Sequence, residues 1–334
     1  MPKQSQDNTN QEEGSAKFTF IDLFAGIGGM RIAFEGAGGE CVLTCEIDSY
    51  AIKTYEANYK PKHSHIYAKD ICKLNSNDVP THDVLIAGFP CQPYSMAGLR
   101  QGLKDQRGQV FLEIIRILKD KQPSTFLLEN VKGMVEHDNG KTFKFMCESL
   151  EKVGYFIKYQ VLNSMTHANI PQNRARVFIV GMRNSKKLEA FNFPTELKLT
   201  KTIHDCLDGK SVKPNHIYDE RYGCYEQIKK SVEKDDTLYQ WRRQYVRENK
   251  SNACPTLTAN MGSGGHNVPL VKDSVHGIRK LTPRETANFQ GFPKTFKLPA
   301  DLADSKLYHQ FGNSVTVPLI QRIAMNIAKA LVVE

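Results

Sequence analysis

The sequence predicts an α/β protein with a doubly wound, parallel sheet in its first half and a smaller, mostly irregular or β domain after it. Two observations support this prediction. Short apolar runs alternate with helical segments up to about residue 183, a pattern typical of a parallel sheet with crossover helices. Between residues 184 and 275 the alternation fades, so we expect a separate unit there.

The individual elements are short and bounded by turn residues. The first apolar run, FTFIDLF, ends in the turn AGIGG, and the helical segment after it stops at Gly38 and Gly39. The same succession repeats along the chain. We therefore predict strands over residues 18–24, 41–46, 84–87, 125–128 and 177–180, and helices over residues 30–37, 49–59, 110–119, 141–153 and 317–331.

The composition is that of a globular protein from a reducing compartment. Of its 334 residues, 40% are hydrophobic and 24% charged, and no apolar run approaches the roughly 20 residues that span a bilayer. The polar residues 1–17 lack a signal core, so we expect a disordered tail on a cytoplasmic protein. None of the eight cysteines forms a C-x-x-C pair, and we therefore expect no bound metal.

Polar residues suited to a nucleoside cofactor follow the first predicted strands. The ends of parallel strands share one edge, where ligands bind. The glycine turn at 25–29 brings backbone N–H groups near a ligand, and Glu46, twenty residues beyond Gly26, suits a pair of ribose hydroxyls. Arg31 occupies the third glycine position of the dinucleotide fingerprint, which disfavours NAD and favours S-adenosylmethionine. A tight turn with solvated acids is the alternative.

One cysteine has an unusual setting. In GFPCQPYS, residues 88–95, Cys91 lies between two prolines directly after a predicted strand. Glu129 follows the next strand, and Arg174 and Arg176 precede another. Guanidinium charge nearby favours the thiolate form, which makes a cysteine nucleophilic. Taken singly, each residue has a plainer explanation, the glutamate as a helix cap or surface acid and the arginines as part of a half-exposed strand.

A basic stretch in the second half points to a polyanionic partner. The net charge of the chain is +9, which by itself is a weak indication. The segment YQWRRQYVRENK, residues 239–250, interleaves aromatic and basic side chains, which suits phosphate contact and stacking. A solvated basic strand or helix is the ordinary alternative for one such run.

Six motifs in order identify a family resemblance. They are FIDLFAGIGG (20–29), GFPCQPYS (88–95), LLENVKG (127–133), QNRARVFIVG (172–181), RKLTPRETANFQGFP (279–293) and QFGNSVTVP (310–318). From residue 18 onward the chain resembles the bacterial type II DNA (cytosine-5)-methyltransferases of restriction–modification systems. The resemblance implies a Rossmann-like S-adenosylmethionine-dependent methyltransferase sheet. It divides the chain into a tail (1–17), a catalytic cofactor-binding domain (18–183), a target-recognition domain (184–275) and a segment returning to the catalytic domain (276–334).

The resemblance also implies catalytic roles. Cys91 matches the nucleophile that adds to C6 of a cytosine flipped out of duplex DNA, after which C5 accepts a methyl group. Glu129 matches the glutamate that contacts N3 and the 4-amino group, and Arg176 the arginine on the O2 side. Arg174 matches a neighbour that supports the cysteine and the cofactor side. The base that removes the C5 proton is not identified.

Two sets of binding residues follow from the same match. S-adenosyl-L-methionine, which leaves as S-adenosyl-L-homocysteine, is expected to contact Phe24, Gly26, Ile27, Gly29, Glu46, Ile47, Asp70, Ile71, Pro90, Asn313 and Ser314. Double-stranded DNA is expected to contact Gln92, Ser95, Arg107, Arg242, Arg243, Arg247, Thr256, Gly264 and Gly265. Ile47 stands where many family members have tryptophan, which affects how the adenine would stack.

Two other functions stay open at this point. One is a cytosine-5 methyltransferase acting on tRNA, and the other is a DNA-binding homologue without catalysis. The second predicts damage to Cys91, Glu129 or Arg176, and all three are present. We expect a nucleoid-associated monomer of bacterial or phage origin whose restriction endonuclease is a genetic rather than a physical partner. The recognition sequence cannot be deduced from one chain.

Overall fold

A computed structural model describes residues 17–60, 65–90, 106–210, 212–249, 252–263 and 267–334, with the side chains of residues 106–109 left out. The predicted disordered tail therefore lies outside the described residues, apart from Lys17. No helix in the described ranges is both long and apolar enough to cross a membrane.

A seven-stranded sheet forms the larger part of the molecule. Its strands are β1 (Phe18–Leu23), β2 (Gly39–Cys45), β3 (Ile66–Ala68), β4 (Val84–Gly88), β5 (Thr125–Val131), β6 (Phe156–Asn163) and β7 (Ala175–Met182). Their order across the sheet is β3-β2-β1-β4-β5-β7-β6, and the first five strands in this order are parallel. The predicted α/β class is confirmed.

The expectation of a wholly parallel sheet is wrong at β7. This strand runs antiparallel to both β5 and β6, and β6 itself was not predicted. Only about a dozen residues separate β6 from β7, too few for the long crossover that parallel neighbours need. The reversal has a consequence for the site, because the beginning of β7 lies at the edge where β4 and β5 end. Arg176 is thereby paired with Val131 across the two strands.

Ten helices are described around the two sheets. They are α1 (Gly29–Glu35), α2 (Ser49–Asn58), α3 (Gln106–Lys121), α4 (Lys141–Lys152), α5 (Ser164–His167), α6 (Ser185–Ala190), α7 (Tyr225–Ser231), α8 (Pro283–Phe289), α9 (Asp304–Asn313) and α10 (Val317–Leu331). The large sheet has an apolar core on each face, since alternate residues of a strand point to opposite sides. Residues of α1 and α10 join one core, and residues of α3 and α4 join the other.

The last helix lies against the first. Ile320 and Ile323 of α10 share a core cluster with Ala33 and Phe34 of α1. At Gly36, just after α1, a Cβ atom would come within 2.9 Å of the Gln321 side chain, so the two elements are in close contact. The C-terminal segment therefore packs on the face of the sheet that carries the glycine turn.

A second, smaller sheet follows the large one in the chain. Its strands are β8 (Tyr239–Trp241), β9 (Val246–Glu248), β10 (Leu270–Asp273) and β11 (Gly277–Lys280), all antiparallel in the order β11-β10-β8-β9. Tyr239 and Leu270 from this sheet lie in a separate apolar cluster with Ile228 and Val232. The small, mostly irregular or β unit predicted from the sequence is thus present. The domain boundaries at 184 and 275 stay predictions.

Candidate active site

Three residues of the turn between β1 and α1 have left-handed backbone conformations, and two of them are glycines, which adopt such conformations without strain. Phe24, Gly26 and Gly28 have φ values of 57°, 56° and 82°. Among the described residues, a Cβ atom at Gly26 would meet nothing within 4 Å. The turn is closed by backbone hydrogen bonds from Gly28 N to Ala25 O (2.8 Å) and from Ala25 N to Cys45 O (3.1 Å). Ile27 is buried behind it.

Glu46 connects this turn to the end of β2. One carboxylate oxygen accepts a hydrogen bond from Gly26 N at 2.7 Å, and the other accepts from Ile47 N and Asp48 N, both at 2.8 Å. A carboxylate offers about four acceptor positions, so one position on the Gly26 side stays available for a hydroxyl group. Beside it Ile47 is 71% exposed, which leaves an apolar surface uncovered next to a polar one. These features fit a ribose and an adjoining apolar ring.

The C-terminal motif reaches the same turn. A Cβ atom at Gly29 would lie 2.8 Å from Oγ of Ser314 and 3.1 Å from the Phe292 ring, so only glycine allows this approach. Asn313, one residue earlier, is exposed, and its side-chain amide lies 3.1 Å from Nε2 of His309. Ser314 therefore stands beside the turn that follows β1, and Asn313 adjoins it in the chain.

The remaining predicted cofactor residues follow other strands at this edge. Asp70 comes after β3 and is half-buried, with Oδ1 accepting a hydrogen bond from Cys72 N at 3.0 Å. Ile71 is buried, and Pro90, two residues after β4, is exposed. The described part of the set thus spans the ends of four neighbouring strands, as the sequence predicted for a ligand at the carboxyl edge.

Asp22, near the end of β1, is a buried acid that sequence reasoning did not single out. It is 1% exposed, and neither carboxyl oxygen has a described hydrogen-bond partner. Burial raises its pKa to about 8. The positive charge of Arg31 acts in the opposite direction, and the negative charge of Glu46 raises the pKa further by a smaller amount. The alternation of β1 indicated a core position, and an acid there carries no recognisable local signal.

Glu129 and Arg176 form an ion pair at the end of β4. Nε of Arg176 lies 3.1 Å from Oε1 of Glu129, and both side chains are largely buried. Gly88 pairs with Glu129 across the parallel strands, and a Cβ atom at Gly88 would lie 3.5 Å from the other glutamate oxygen. The carboxylate therefore stands over the start of the Gly-Phe-Pro-Cys segment. The sequence predicted that Glu129, Arg174 and Arg176 converge with Cys91 at this edge; the structure pairs Glu129 with Arg176, and Cys91 lies outside the described residues.

Asn130 fixes the chain just ahead of that segment, and sequence reasoning missed it. Its side chain is 3% exposed and donates from Nδ2 to Phe89 O at 3.2 Å, while Oδ1 accepts from Val131 N at 2.8 Å. Both of its hydrogen-bonding ends are thus occupied by backbone. The only signal in the sequence was an amide side chain directly after Glu129, at the end of an apolar run.

Arg174 has a different setting from Arg176. It is 3% exposed and donates to three backbone carbonyls, those of Leu257 (2.7 Å), Ser314 (2.5 Å) and Gly312 (3.4 Å). Burial, together with the charge of Arg176, lowers its pKa to about 9. Arg174 therefore links the segment at Leu257 to the C-terminal motif, and its contacts are those of a positioning residue.

Residues 254–257 lie along the residues before Arg174. Cys254 N donates to Pro171 O at 2.7 Å, and Asn173 N donates back to Cys254 O at 2.8 Å. Thr256, a predicted DNA contact, is half-buried and donates through Oγ1 to Asn173 O at 2.5 Å. Gln172 is fully buried and accepts from Leu257 N at 3.1 Å. Residues 254–257 thus adjoin the start of β7.

The basic stretch forms the β8–β9 hairpin. Arg242 and Arg243 lie in its turn and Arg247 on β9, and all three side chains are exposed. Arg243 has a φ of 66°, and Arg242 donates to Oε1 of Gln240 at 3.0 Å and through its backbone to Tyr245 O at 2.9 Å. The hairpin therefore presents a positively charged turn that is partly oriented by hydrogen bonds.

Several predicted residues fall outside the described part of the chain. These are Cys91, Gln92, Ser95, Gly264 and Gly265; Arg107 lies in the first turn of α3, and its side chain is not described. Within the described ranges, no group of three or more histidine, cysteine or acidic side chains is arranged to hold a metal ion.

Comparison with known proteins agrees with this architecture. The model of the family "C-5 cytosine-specific DNA methylase" matches residues 18–329. The chain is 51% identical over 313 residues to the Type II methyltransferase M.Bsp6I of Bacillus sp. (strain RFL6), covering 92% of this chain and 98% of that protein. It is 36% identical to the Type II methyltransferase M.HpaII of Haemophilus parainfluenzae, and the match covers 98% of this chain and 92% of that protein.

Among solved structures, the fold is similar to that of the S. pombe Dnmt2 methyltransferase, with a TM-score of 0.73 at 20% identity over 95% of this chain and 100% of that one. The chain belongs to the C-5 cytosine-specific DNA methylase family. It is a DNA (cytosine-5)-methyltransferase, and its methyl donor is S-adenosyl-L-methionine, as in the rest of the family.

Proposed function

We propose that the protein methylates C5 of a cytosine flipped out of a short, specific duplex site, through a covalent bond between Cys91 and C6. The observation that carries this proposal is the Glu129–Arg176 pair, 3.1 Å apart, over Gly88 at the entrance to the Pro-Cys segment. An acid and a guanidinium side by side suit the N3 and O2 positions of one pyrimidine. Bases inside a duplex cannot reach such a pocket unless they are flipped.

Each residue has a separate task in this reaction. The Cys91 sulfur adds to C6, which makes C5 nucleophilic, and negative charge moves toward N3 and O2. Glu129 hydrogen-bonds N3, and Arg176 stabilises the charge near O2 while keeping the glutamate in place. After methylation a base removes the C5 proton, the C5–C6 double bond re-forms and the thiolate leaves. Asn130 sets the position of Phe89 and hence of the chain that leads to Cys91.

The cofactor would lie at the glycine turn. When bound, S-adenosyl-L-methionine supplies an electrophilic methyl group. Glu46 has an acceptor position left for a ribose hydroxyl, and Ile47 offers apolar surface to the adenine. Ser314 and Gly29, which are in close contact, would border the methionine portion. On the side of Gly26 where a Cβ atom would stand, no described atom lies within 4 Å, which leaves room for the nucleoside against the backbone.

The DNA would contact the predicted target-recognition domain, residues 184–275. The exposed arginines of the β8–β9 hairpin supply positive charge for the phosphates or the base edges, and Thr256 lies beside the start of β7. Type II relatives suggest a protective role in a bacterial restriction–modification system, with the endonuclease encoded alongside and not bound. We place the enzyme in the cytoplasm as a monomer on DNA.

The proposal is tested by methyl transfer in vitro and by mapping of the product. Purified protein, duplex DNA and labelled cofactor should give label in DNA, and bisulfite sequencing should show 5-methylcytosine at one repeated motif. The same assay with tRNA should give none. Cys91→Ser should bind duplex DNA but incorporate no methyl, whereas Cys147→Ser, a change at a half-buried cysteine of α4, should stay active. Full activity of Cys91→Ser would contradict the assigned nucleophile.

A further inference from the structure

Arg31, which replaces the third glycine of a dinucleotide fingerprint, is a buried side chain of α1. It is 5% exposed. Nη1 donates to the hydroxyl oxygen of Tyr55 at 2.6 Å, and Nε donates to Oε1 of Glu35 at 2.7 Å. The guanidinium carbon also lies 4.3 Å from the ring centroid of Tyr59, a cation–π distance. The planar guanidinium group thus contacts two tyrosines of α2 and its C-terminal flank.

Tyr59 in turn contacts the glycine turn directly. Its hydroxyl donates to Gly28 O at 2.7 Å, beside the first helical hydrogen bond from Ile32 N to the same oxygen at 3.0 Å. A Cβ atom at Gly28 would lie 2.4 Å from the tyrosine ring, so the ring packs against the bare backbone. Ala25 of the turn belongs to the same small apolar cluster as Tyr55 and Tyr59.

Tyr55 extends the contact to β2, the strand that precedes Glu46. Its hydroxyl lies 2.6 Å from Oγ1 of Thr44, two residues before Glu46. Glu46 itself accepts a hydrogen bond from Gly26. One set of buried side chains therefore touches both walls of the cofactor site, the glycine turn and the end of β2.

We propose that Arg31, Tyr55 and Tyr59, here called the turn brace, are positioning residues that set the affinity for S-adenosyl-L-methionine by holding the glycine turn in its binding conformation. This inference rests on the proposed cofactor site. Glycines have more backbone freedom to lose than other residues, so a turn containing three of them gains order from outside contacts. If the competent turn is populated only in part, the apparent dissociation constant rises by the inverse of that fraction.

Tyr59→Phe and Tyr155→Phe form a matched pair that tests the brace. Each variant loses one buried hydroxyl that donates to a backbone carbonyl, Gly28 O at 2.7 Å for Tyr59 and Pro123 O at 2.8 Å for Tyr155. Both rings are less than a tenth exposed, so the cost to folding should be similar. Only the first hydroxyl touches the turn. Tyr155 lies elsewhere on the sheet, against Phe126.

The dissociation constant of S-adenosyl-L-homocysteine is measured by calorimetry without DNA, and kinetics are measured with saturating duplex. Tyr59→Phe should weaken binding about tenfold, which corresponds to a competent fraction of about 0.1. The KM for the cofactor should rise to a similar extent with kcat within about twofold, because the turn is competent once filled. Tyr155→Phe should match the wild type in its affinity for S-adenosyl-L-homocysteine and in its kinetic constants. Equal affinity of the two variants would overturn the inference.

A second variant covers the case in which Tyr59→Phe does not fold. Arg31→Lys keeps the charge but loses the planar fork that reaches Tyr55 and Glu35 together, and it should weaken binding about threefold to tenfold. Unchanged affinity in Arg31→Lys would also count against the brace. If the wild type itself failed to bind S-adenosyl-L-homocysteine, the proposed cofactor site would be wrong, which is a separate result from a failure of the brace.

Discussion

Asp22 provides a quantitative test of the electrostatics behind the glycine turn. The carboxyl group is 1% exposed, it has no described hydrogen-bond partner, and its pKa is raised from 3.8 to about 8. Between these two pH values the native protein holds a proton on Asp22 that the unfolded chain has released. Ionisation therefore favours the unfolded chain, and stability falls as the pH rises from about 4 to about 8.

The expected magnitude follows from the size of the shift. One pKa unit corresponds to about 1.4 kcal/mol, so a shift of about four units amounts to roughly 4–6 kcal/mol of lost stability at pH 8. Asp22→Asn has nearly the same shape and does not titrate. Between pH 5 and pH 7, the free energy of unfolding of the variant should rise relative to that of the wild type by about 1.4 kcal/mol for each pH unit.

The assay is urea unfolding of both proteins at pH 5, 6, 7 and 8 without cofactor. Taking the difference between the two proteins removes the contribution of other titrating groups. Asp235→Asn, a change at an exposed carboxylate, is the control and should show no such trend. A difference between Asp22→Asn and the wild type that stays constant over this range would refute the assignment of a neutral, buried carboxyl.

Three further predictions concern the ion pairs and the DNA surface. Arg279→Met leaves the fully buried Glu285 without its bidentate partner at 2.8 and 2.9 Å and should cost about 3–5 kcal/mol in chemical denaturation. Adding Glu285→Gln should recover part of the loss, because the amide removes the buried charge and keeps an oxygen that accepts from the backbone N–H of Asp208 or Thr282; a further loss would contradict this explanation. Arg176→Lys should lower kcat by about 10²–10³ with unchanged affinity for S-adenosyl-L-homocysteine; an unaffected kcat would count against its role. Arg243→Ala should weaken duplex binding, measured by fluorescence titration, and should reduce the slope of log K against log salt concentration by about one. Affinity for the cofactor should not change, and an unaltered affinity for DNA would exclude a contact.

The sequence was most informative where backbone geometry and chemistry coincide. The glycine turn, the carboxylate at Glu46 and the strand ends that carry Gly88 and Glu129 were predicted from apolar runs and turn residues, and the structure brings them to one edge. Strand order in a parallel sheet follows from short, right-handed connections, so local pattern is enough to place such residues together.

Other features depend on contacts that no local pattern specifies. The direction of β7 was missed because an apolar run of this kind looks the same in parallel and antiparallel neighbours. Arg174 and Arg176 alternate along the chain, yet one donates to carbonyls from distant segments and the other pairs with Glu129. The buried acid at Asp22 and the brace at Tyr59 likewise depend on partners far away in sequence.

Covalent trapping of the enzyme on its DNA is the most direct measurement. A duplex with 5-fluorocytosine at the target position replaces the hydrogen that must be lost from C5, so the enzyme should stay attached after methyl transfer. Given this duplex and S-adenosyl-L-methionine, the protein should form a denaturation-resistant complex, and peptide mapping should locate the DNA on Cys91. Attachment of the DNA to another residue would contradict the account. So would the failure of an enzyme that methylates ordinary duplex DNA to form any such complex.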